Sequence, residues 1–211
     1  AQKHVEWHAE GWEIIQCEET KTCTIEGVLV KGRIDRIDRN SRTGAVCVLD
    51  YKTTDKIKGP PETHFGSPRE DDDLAEAGIP ADLVSGKKDK PAPPKKGKPP
   101  VEKKGKRWAD LQLPLYRELV RAEFDPEVQL GYICLPKSLG DTGFKLWESY
   151  SDELHGSAVG CAEAVIRRIT DGVFWPPGRL KGGYNDDLAG VLLGDPEKSI
   201  GCPPPPWRVG A

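Results

Sequence analysis

The chain has 211 residues, a formal net charge of −3, 36% hydrophobic residues, 23 glycines, 19 prolines and no methionine. That length suffices for one domain with a sizeable core, while the low apolar share means that a good part of the chain is not core. No apolar run approaches the roughly eighteen residues of a membrane-spanning helix, no signal peptide opens the chain, and the weak overall charge means that any attraction to nucleic acid is local.

Residues 1–16 read as the end of a helix running into a strand, with Trp7, Trp12, Ile14 and Ile15 as buried anchors. Residues 24–53 read as two strands of a hairpin joined by the turn-rich Arg39-Asn40-Ser41-Arg42-Thr43-Gly44. The second strand is an apolar run, Ala45 to Leu49, that ends in Asp50-Tyr51-Lys52-Thr53. Upstream of it Asp35 lies in Gly32-Arg33-Ile34-Asp35-Arg36-Ile37-Asp38. Residues two apart on a strand share a face, so Asp50 and Lys52 project together and Tyr51 points away from them. Two carboxylates can hold a hard divalent cation through oxygen, and an ammonium beside them can offset charge growing on a phosphate. Taken alone, Asp-x-Lys also describes a solvated strand edge with a surface ion pair worth under about 1 kcal/mol.

Residues 56–107 read as a low-complexity, Lys/Pro-rich insertion. Glu70-Asp71-Asp72-Asp73 is acidic, and Gly86 to Arg107 holds nine lysines and an arginine among prolines and glycines. Such a segment cannot bury enough apolar surface to fold alone. It is either a basic arm that follows a phosphate backbone or a solvated linker, and no aromatic residue interleaves the lysines to stack bases. Trp108 to Phe124 carries apolar residues at 111, 115, 119, 120 and 124, a helical period. Gln112 and Tyr116, four apart, share a face of that helix, and with Asp110 as its cap Pro114 falls in the first turn, where no N–H is missed. A strand over Val128 to Leu135, another near Phe144 to Tyr150 and a helix from Asp152 to Asp171 complete the pattern. The predicted fold is α/β, a mixed central β-sheet flanked by helices.

The three segments Gly32-Arg33-Ile34-Asp35, Asp50-Tyr51-Lys52-Thr53 and Gln112 to Tyr116 resemble, in order, the G-x-x-D, D-Y-K-T and Q-x-x-x-Y motifs of the RecB-like branch of the PD-(D/E)xK nuclease superfamily. Phe174-Trp175-Pro176-Pro177 followed by Asp186-Asp187-Leu188 is also similar to the tail of the C-terminal nuclease domain of AddB-type helicase–nuclease subunits. The resemblance implies a restriction-endonuclease-like core forming a single nuclease domain over residues 1–211, and the start at Ala1 reads as an excised fragment of a longer protein. It further implies Mg2+ or Mn2+ as cofactor, DNA as substrate and a helicase-like domain or subunit as partner.

By the resemblance, Asp35 and Asp50 ligate the metal with the backbone carbonyl of Tyr51, Lys52 positions the attacking water, and Gln112 and Tyr116 line the site and hold the DNA backbone or orient Lys52. Many relatives add an upstream histidine or glutamate ligand; His4 and His8 are the candidates, with Glu10 and Glu13 as rivals. Asp38 falls on the face opposite Asp35 and reads as a salt-bridge or turn residue, with a metal role as the lesser alternative, while Arg33 and Arg36 are candidates for phosphate contact or simple solvation. Some relatives hold an iron–sulfur cluster on four cysteines. The six cysteines here contain no C-x-x-C and no closely spaced trio, so no cluster is predicted. Cys47 and Cys134 read as buried thiols, consistent with a reducing cytoplasm.

The expected function is a magnesium-dependent deoxyribonuclease, an exonuclease in double-strand break repair and recombination. The alternatives are an inactive DNA-binding scaffold of the same fold, or a stand-alone nuclease on RNA or branched DNA. No phosphate-binding G-x-x-x-x-G-K-[ST] loop, H-E-x-x-H zinc helix or G-x-S-x-G elbow is present.

Overall fold

The apolar run that ends in Asp50 becomes the middle strand of a five-stranded sheet, buried from Val46 through Asp50. Such a strand needs cover on both faces. Val46 and Val48 enter one core, Cys47 and Leu49 another. The structure is a computed structural model and describes residues 2–56, 58–67, 78–84, 105–124 and 128–173.

In chain order, α1 (Gln2–Ala9) leads to β1 (Trp12–Ile25), β2 (Val28–Asn40), β3 (Val46–Lys52), α2 (Pro60–His64), β4 (Phe65–Gly66), β5 (Gly78–Ile79) and α3 (Ala81–Val84). Then follow β6 (Lys106–Trp108), α4 (Gln112–Val120), β7 (Val128–Cys134), β8 (Gly143–Leu146) and α5 (Asp152–Thr170). The main sheet runs β1-β2-β3-β7-β8, with β3 and β7 parallel and the other pairs antiparallel. Parallel neighbours require a long crossover, and here it contains α4. That helix covers one face, its Leu113, Tyr116, Leu119 and Val120 joining Ile34, Ile37, Val48 and Leu130. On the other face Trp7 of α1 stacks on Trp12 at 4.6 Å and on Phe144 at 4.3 Å.

Several sequence expectations shift. Trp7 and Trp12 are buried as read, but Ile14 and Ile15 are 46% and 38% exposed. They lie on the outer strand, where pairing slips between Ile14 and Gln16. The β1–β2 hairpin was not anticipated, because Gln16 to Thr24 is polar and lacks apolar alternation. Its two-residue turn, Glu26-Gly27, has φ of 49° and 73°, the positive values that suit right-twisted strands. The helix expected over Trp108 to Phe124 begins only at Gln112, since Trp108 belongs to β6. Leu111 and Leu115 are only half-buried, and the buried face is set by Leu113, Tyr116 and Leu119. Pro114 does fall in the first turn. Asp110 Oδ1 accepts the Gln112 N–H at 2.7 Å from one residue outside the N-cap, Leu111. The last strand spans Gly143–Leu146, earlier than expected.

The stretch read as an insertion is not uniform. Within it α2, β4, β5 and β6 form ordered elements, with a small sheet ordered β4-β6-β5 and buried His64 and Ile79. Residues 70–73 and 85–104, the tail motifs within 174–188, and Cys202 lie outside the described residues.

By internal contacts the chain forms two units, Ala1–Ala164 and Val165–Ala211. In the second, the last helical turn closes with Gly172 at φ 69° and a Val173 N–H donated to the Arg168 carbonyl at 2.8 Å, a left-handed helix stop. Among the described residues no helix is long and apolar enough to cross a membrane.

Candidate active site

Strand alternation and a register boundary bring the first residues together. The β2–β3 pairing runs from Arg39↔Val46 to Arg36↔Leu49 and ends just before Asp35 and Asp50. On the neighbouring β1, Glu18 has φ 54° and lies between the Cys17↔Arg36 and Glu19↔Ile34 pairs, which keep one register. There Asp35 turns its carboxylate to the β3 backbone, and Oδ2 accepts the Tyr51 N–H at 3.0 Å.

Asp50 and Lys52, on one face of β3 as the alternation predicts, form an ion pair of 2.7 Å between Oδ2 and Nζ. Gln112, at the start of α4, reaches both: its Nε2 donates to Asp50 Oδ1 at 2.8 Å and its Oε1 accepts from Lys52 Nζ at 3.0 Å. Tyr116, one turn on, has its hydroxyl 3.1 Å from Gln112 Nε2 and donates to the Arg33 carbonyl at 2.9 Å. The helix can close this tightly on β2 because Gly32 has no side chain; a Cβ there would lie 2.5 Å from Leu119 Cδ1. All five residues named from the sequence, Asp35, Asp50, Lys52, Gln112 and Tyr116, therefore converge at the carboxyl ends of the parallel strands β3 and β7, where open α/β sheets hold ligands.

The electrostatics are those of a poised, incompletely satisfied site. Burial raises the Asp50 carboxyl pKa, Lys52 pulls it down and Asp35 pushes it up again, and the net direction is upward. Asp50 Oδ2 is buried and accepts no well-directed hydrogen bond despite the nearby ammonium. Burial likewise raises the Tyr116 hydroxyl pKa, so that it remains a neutral donor.

Not every expected residue comes here. His4 and His8 lie exposed on α1, whose Trp7 packs on the opposite face of the sheet, and His8 Nδ1 is 3.1 Å from the Trp12 carbonyl oxygen. Glu10 and Glu13 are exposed beyond that same helix. None of the four is brought to the carboxylates. Among the described residues no group of three or more His, Cys, Asp or Glu converges on one point. Asp35, through its bond to the Tyr51 N–H, and Asp50 remain as the carboxylates at this end of β3. Few protein oxygens with the balance made up by water is how magnesium is commonly held, and Asp50 Oδ2, buried and paired with Lys52 without hydrogen-bond geometry, fits such an ion.

Arg36 is no phosphate contact. It is buried and paired with Asp38, Nε to Oδ1 and Nη2 to Oδ2, both at 2.6 Å. Arg33 is exposed and pairs with Glu18 at 3.0 Å. Cys47 and Cys134 are fully buried, and burial raises both thiol pKa values.

Two further residues escaped the sequence reading. Tyr132 stands beside Asp50 in the parallel ladder, and His64 ends α2. One sat in an apolar strand and the other in a presumed insertion. Their spatial meeting leaves no local signal. A cleft of about 410 Å³ between α4 and α5, lined by Arg117, Glu118, Arg121 and His155, contains none of the residues above.

Residues 1–68 match the family model of the PD-(D/E)XK nuclease superfamily, a span that includes Asp35, Asp50 and Lys52. The match covers 68 of the 211 residues. A solved structure of a provisionally named exonuclease from Eubacterium rectale aligns with a TM-score of 0.39 and 15% identity over 82% of this chain. The alignment spans 56% of that protein's length. Comparison with curated proteins finds no match.

Proposed function

We propose that this chain is a magnesium-dependent nuclease that hydrolyses phosphodiester bonds of DNA, with Asp35, Asp50, Lys52, Gln112 and Tyr116 as its working residues. The observation that carries the reading is the convergence of two carboxylates, one ammonium and one bridging amide at one end of β3, with the buried Asp50 Oδ2 held by the Lys52 ammonium at 2.7 Å in an ion pair that lacks hydrogen-bond geometry. Manganese suits the same oxygen donors.

Asp35 and Asp50, with the Tyr51 carbonyl, would hold the ion. When bound, such an ion acidifies water and polarises a phosphoryl oxygen. Lys52 carries three N–H bonds, of which Asp50 and Gln112 occupy two. The third is left for the attacking water or a non-bridging phosphate oxygen, where a fixed positive charge stabilises the charge that develops. Gln112 keeps Asp50 and Lys52 in register, and Tyr116 ties Gln112 to the β2 backbone. The similarity of the tail motifs supports an exonuclease that works beside a helicase-like partner in cytoplasmic double-strand break repair.

The test is cleavage of end-labelled single- and double-stranded DNA by the full chain in magnesium, manganese or EDTA, against Lys52→Ala and Asp50→Ala. Metal-dependent cleavage lost in both variants is the expected result. A folded wild-type protein that binds DNA and cuts nothing would replace this reading with that of an inactive scaffold. Preference for RNA over DNA would move the substrate and keep the chemistry.

A further inference from the structure

Behind Lys52 lies a set of buried groups that the proposed chemistry does not use. Tyr132 neighbours Asp50 across the parallel ladder and is fully buried. The Lys52 ammonium stands 4.9 Å from the centre of its ring, within the roughly 6 Å over which a ring face attracts a cation. The ring therefore closes the buried side of the ammonium.

The ring is itself held. Tyr132 Oη is 2.8 Å from His64 Nε2, and His64 Nδ1 is 2.8 Å from the carbonyl oxygen of Asp110. A carbonyl only accepts, so Nδ1 carries the proton; the neutral imidazole then offers a lone pair at Nε2, to which the Tyr132 hydroxyl donates. Burial, and the charge of Lys52 beside it, hold the His64 pKa below that of an ordinary imidazole, against the pull of Asp110. The imidazole is fully buried and stacks on Trp147 at 4.9 Å with 18° between planes.

Asp110 joins this set to the rest of the site. Its carbonyl receives His64 while its carboxylate receives the Gln112 N–H at 2.7 Å. Two arms thus reach Lys52 from one origin. One passes through His64 to the Tyr132 ring, and the other through Gln112 to its amide oxygen. A lysine is a point charge on a flexible four-carbon stem, and a catalytic group displaced by about 1 Å can cost on the order of a hundredfold in rate.

We propose that Tyr132, buttressed by His64, is a positioning residue that fixes the Lys52 ammonium beside Asp50. What Lys52 does rests on the nuclease reading; where it is held does not, and the two are tested separately. In metal-free protein, NMR of the lysine side chains is expected to show the Lys52 ε-methylene protons displaced upfield by the Tyr132 ring current. Tyr132→Phe retains that displacement and Tyr132→Leu loses it. Long-range proton–nitrogen spectra are expected to show His64, one of four histidines, as the Nδ1–H tautomer. In magnesium-supported cleavage of end-labelled single-stranded DNA, Tyr132→Leu is expected to lower kcat on the order of 10- to 100-fold at unchanged KM, with Tyr132→Phe, which keeps the ring and loses the bond to His64, recovering only part of the loss.

A wild-type Lys52 signal with no ring-current displacement overturns the proposal, and so does a folded Tyr132→Leu with wild-type kcat. If Tyr132→Leu does not fold, the wild-type displacement and tautomer decide it. A wild-type protein that shows both signals and cleaves nothing supports the placement and defeats the nuclease reading alone.

Discussion

Each face of the sheet carries a carboxylate and a cation two residues apart on a strand, and the two pairs are built to opposite ends. On the α1 face, Asp38 takes both Arg36 nitrogens and the Trp7 indole N–H, so each of its oxygens has a donor. Burial opposes the Arg36 charge, but Asp38 and Tyr51 outweigh it and raise the guanidinium pKa. On the α4 face, Asp50 keeps a buried oxygen without a well-directed donor, and Lys52 remains partly open to water. The first pair is closed and serves the fold. The second is left open, and an open pair is what a ligand needs. Burial of the carboxylates and sequence spacing are similar in both; exposure of the cation and completeness of hydrogen bonding separate them.

The contrast is sharpest in stability. Asp38→Ala strands a buried guanidinium and is expected to cost about 3–5 kcal/mol, read as a drop in the denaturant midpoint. Asp50→Ala is expected to cost less, about 1–3 kcal/mol, because Lys52 can turn to water and only the Gln112 amide loses its acceptor. Equal losses in the two variants would erase the distinction. The order reverses in activity, where Asp50→Asn and Lys52→Ala should each lower metal-dependent cleavage by roughly 10²- to 10³-fold, as loss of an electrostatic group in a transition state does.

A smaller effect separates the α4 face from the hairpin tip. Gly32→Ala pushes a methyl against Leu119 and should cost about 1–3 kcal/mol by overpacking, with reduced cleavage as α4 shifts Gln112. Gly27→Ala has open space around it and should cost only about 1–2 kcal/mol, for its left-handed backbone, with cleavage retained. Thermal melts alongside rate measurements distinguish the two.

The mildest expectation concerns acid. His64 and His155 both have pKa values lowered by burial, the latter against the pull of Glu118. Their unfolded forms protonate below about pH 6.5 while the folded forms resist. Stability present above that pH is therefore lost as pH falls toward the folded values. Urea midpoints at pH 7.5 and 5.5 should show the fall, and His155→Gln should reduce it. An unchanged slope would place the acid sensitivity elsewhere.

How much of this could be read from the chain depends on the range of the interaction. Asp50 and Lys52 sharing a face, and Gln112 with Tyr116 on one helix, follow from strand and helix periods alone. So does the tolerance of Pro114 in a first turn. Ile14 and Ile15 failed as core residues because apolar character does not say whether a strand is central or outermost. The long hairpin of β1 was missed because polar outer strands carry little alternation, and a Glu-Gly turn is a weaker signal than Asn-Gly. Upstream His4 and His8 had suitable chemistry and spacing, yet the packing of Trp7 sends their helix to the other face.

By itself the sequence determined the periodic elements and the chemical identity of the converging groups, since strand alternation, helical spacing and side-chain charge are local properties. The tertiary structure alone decided which carboxylate is satisfied and which is left open, and that His64 and Tyr132 stand behind Lys52. Those depend on parallel pairing between β3 and β7 and on contacts across 46 to 68 residues of chain. Such distances have no period to read; only the closed core sets them.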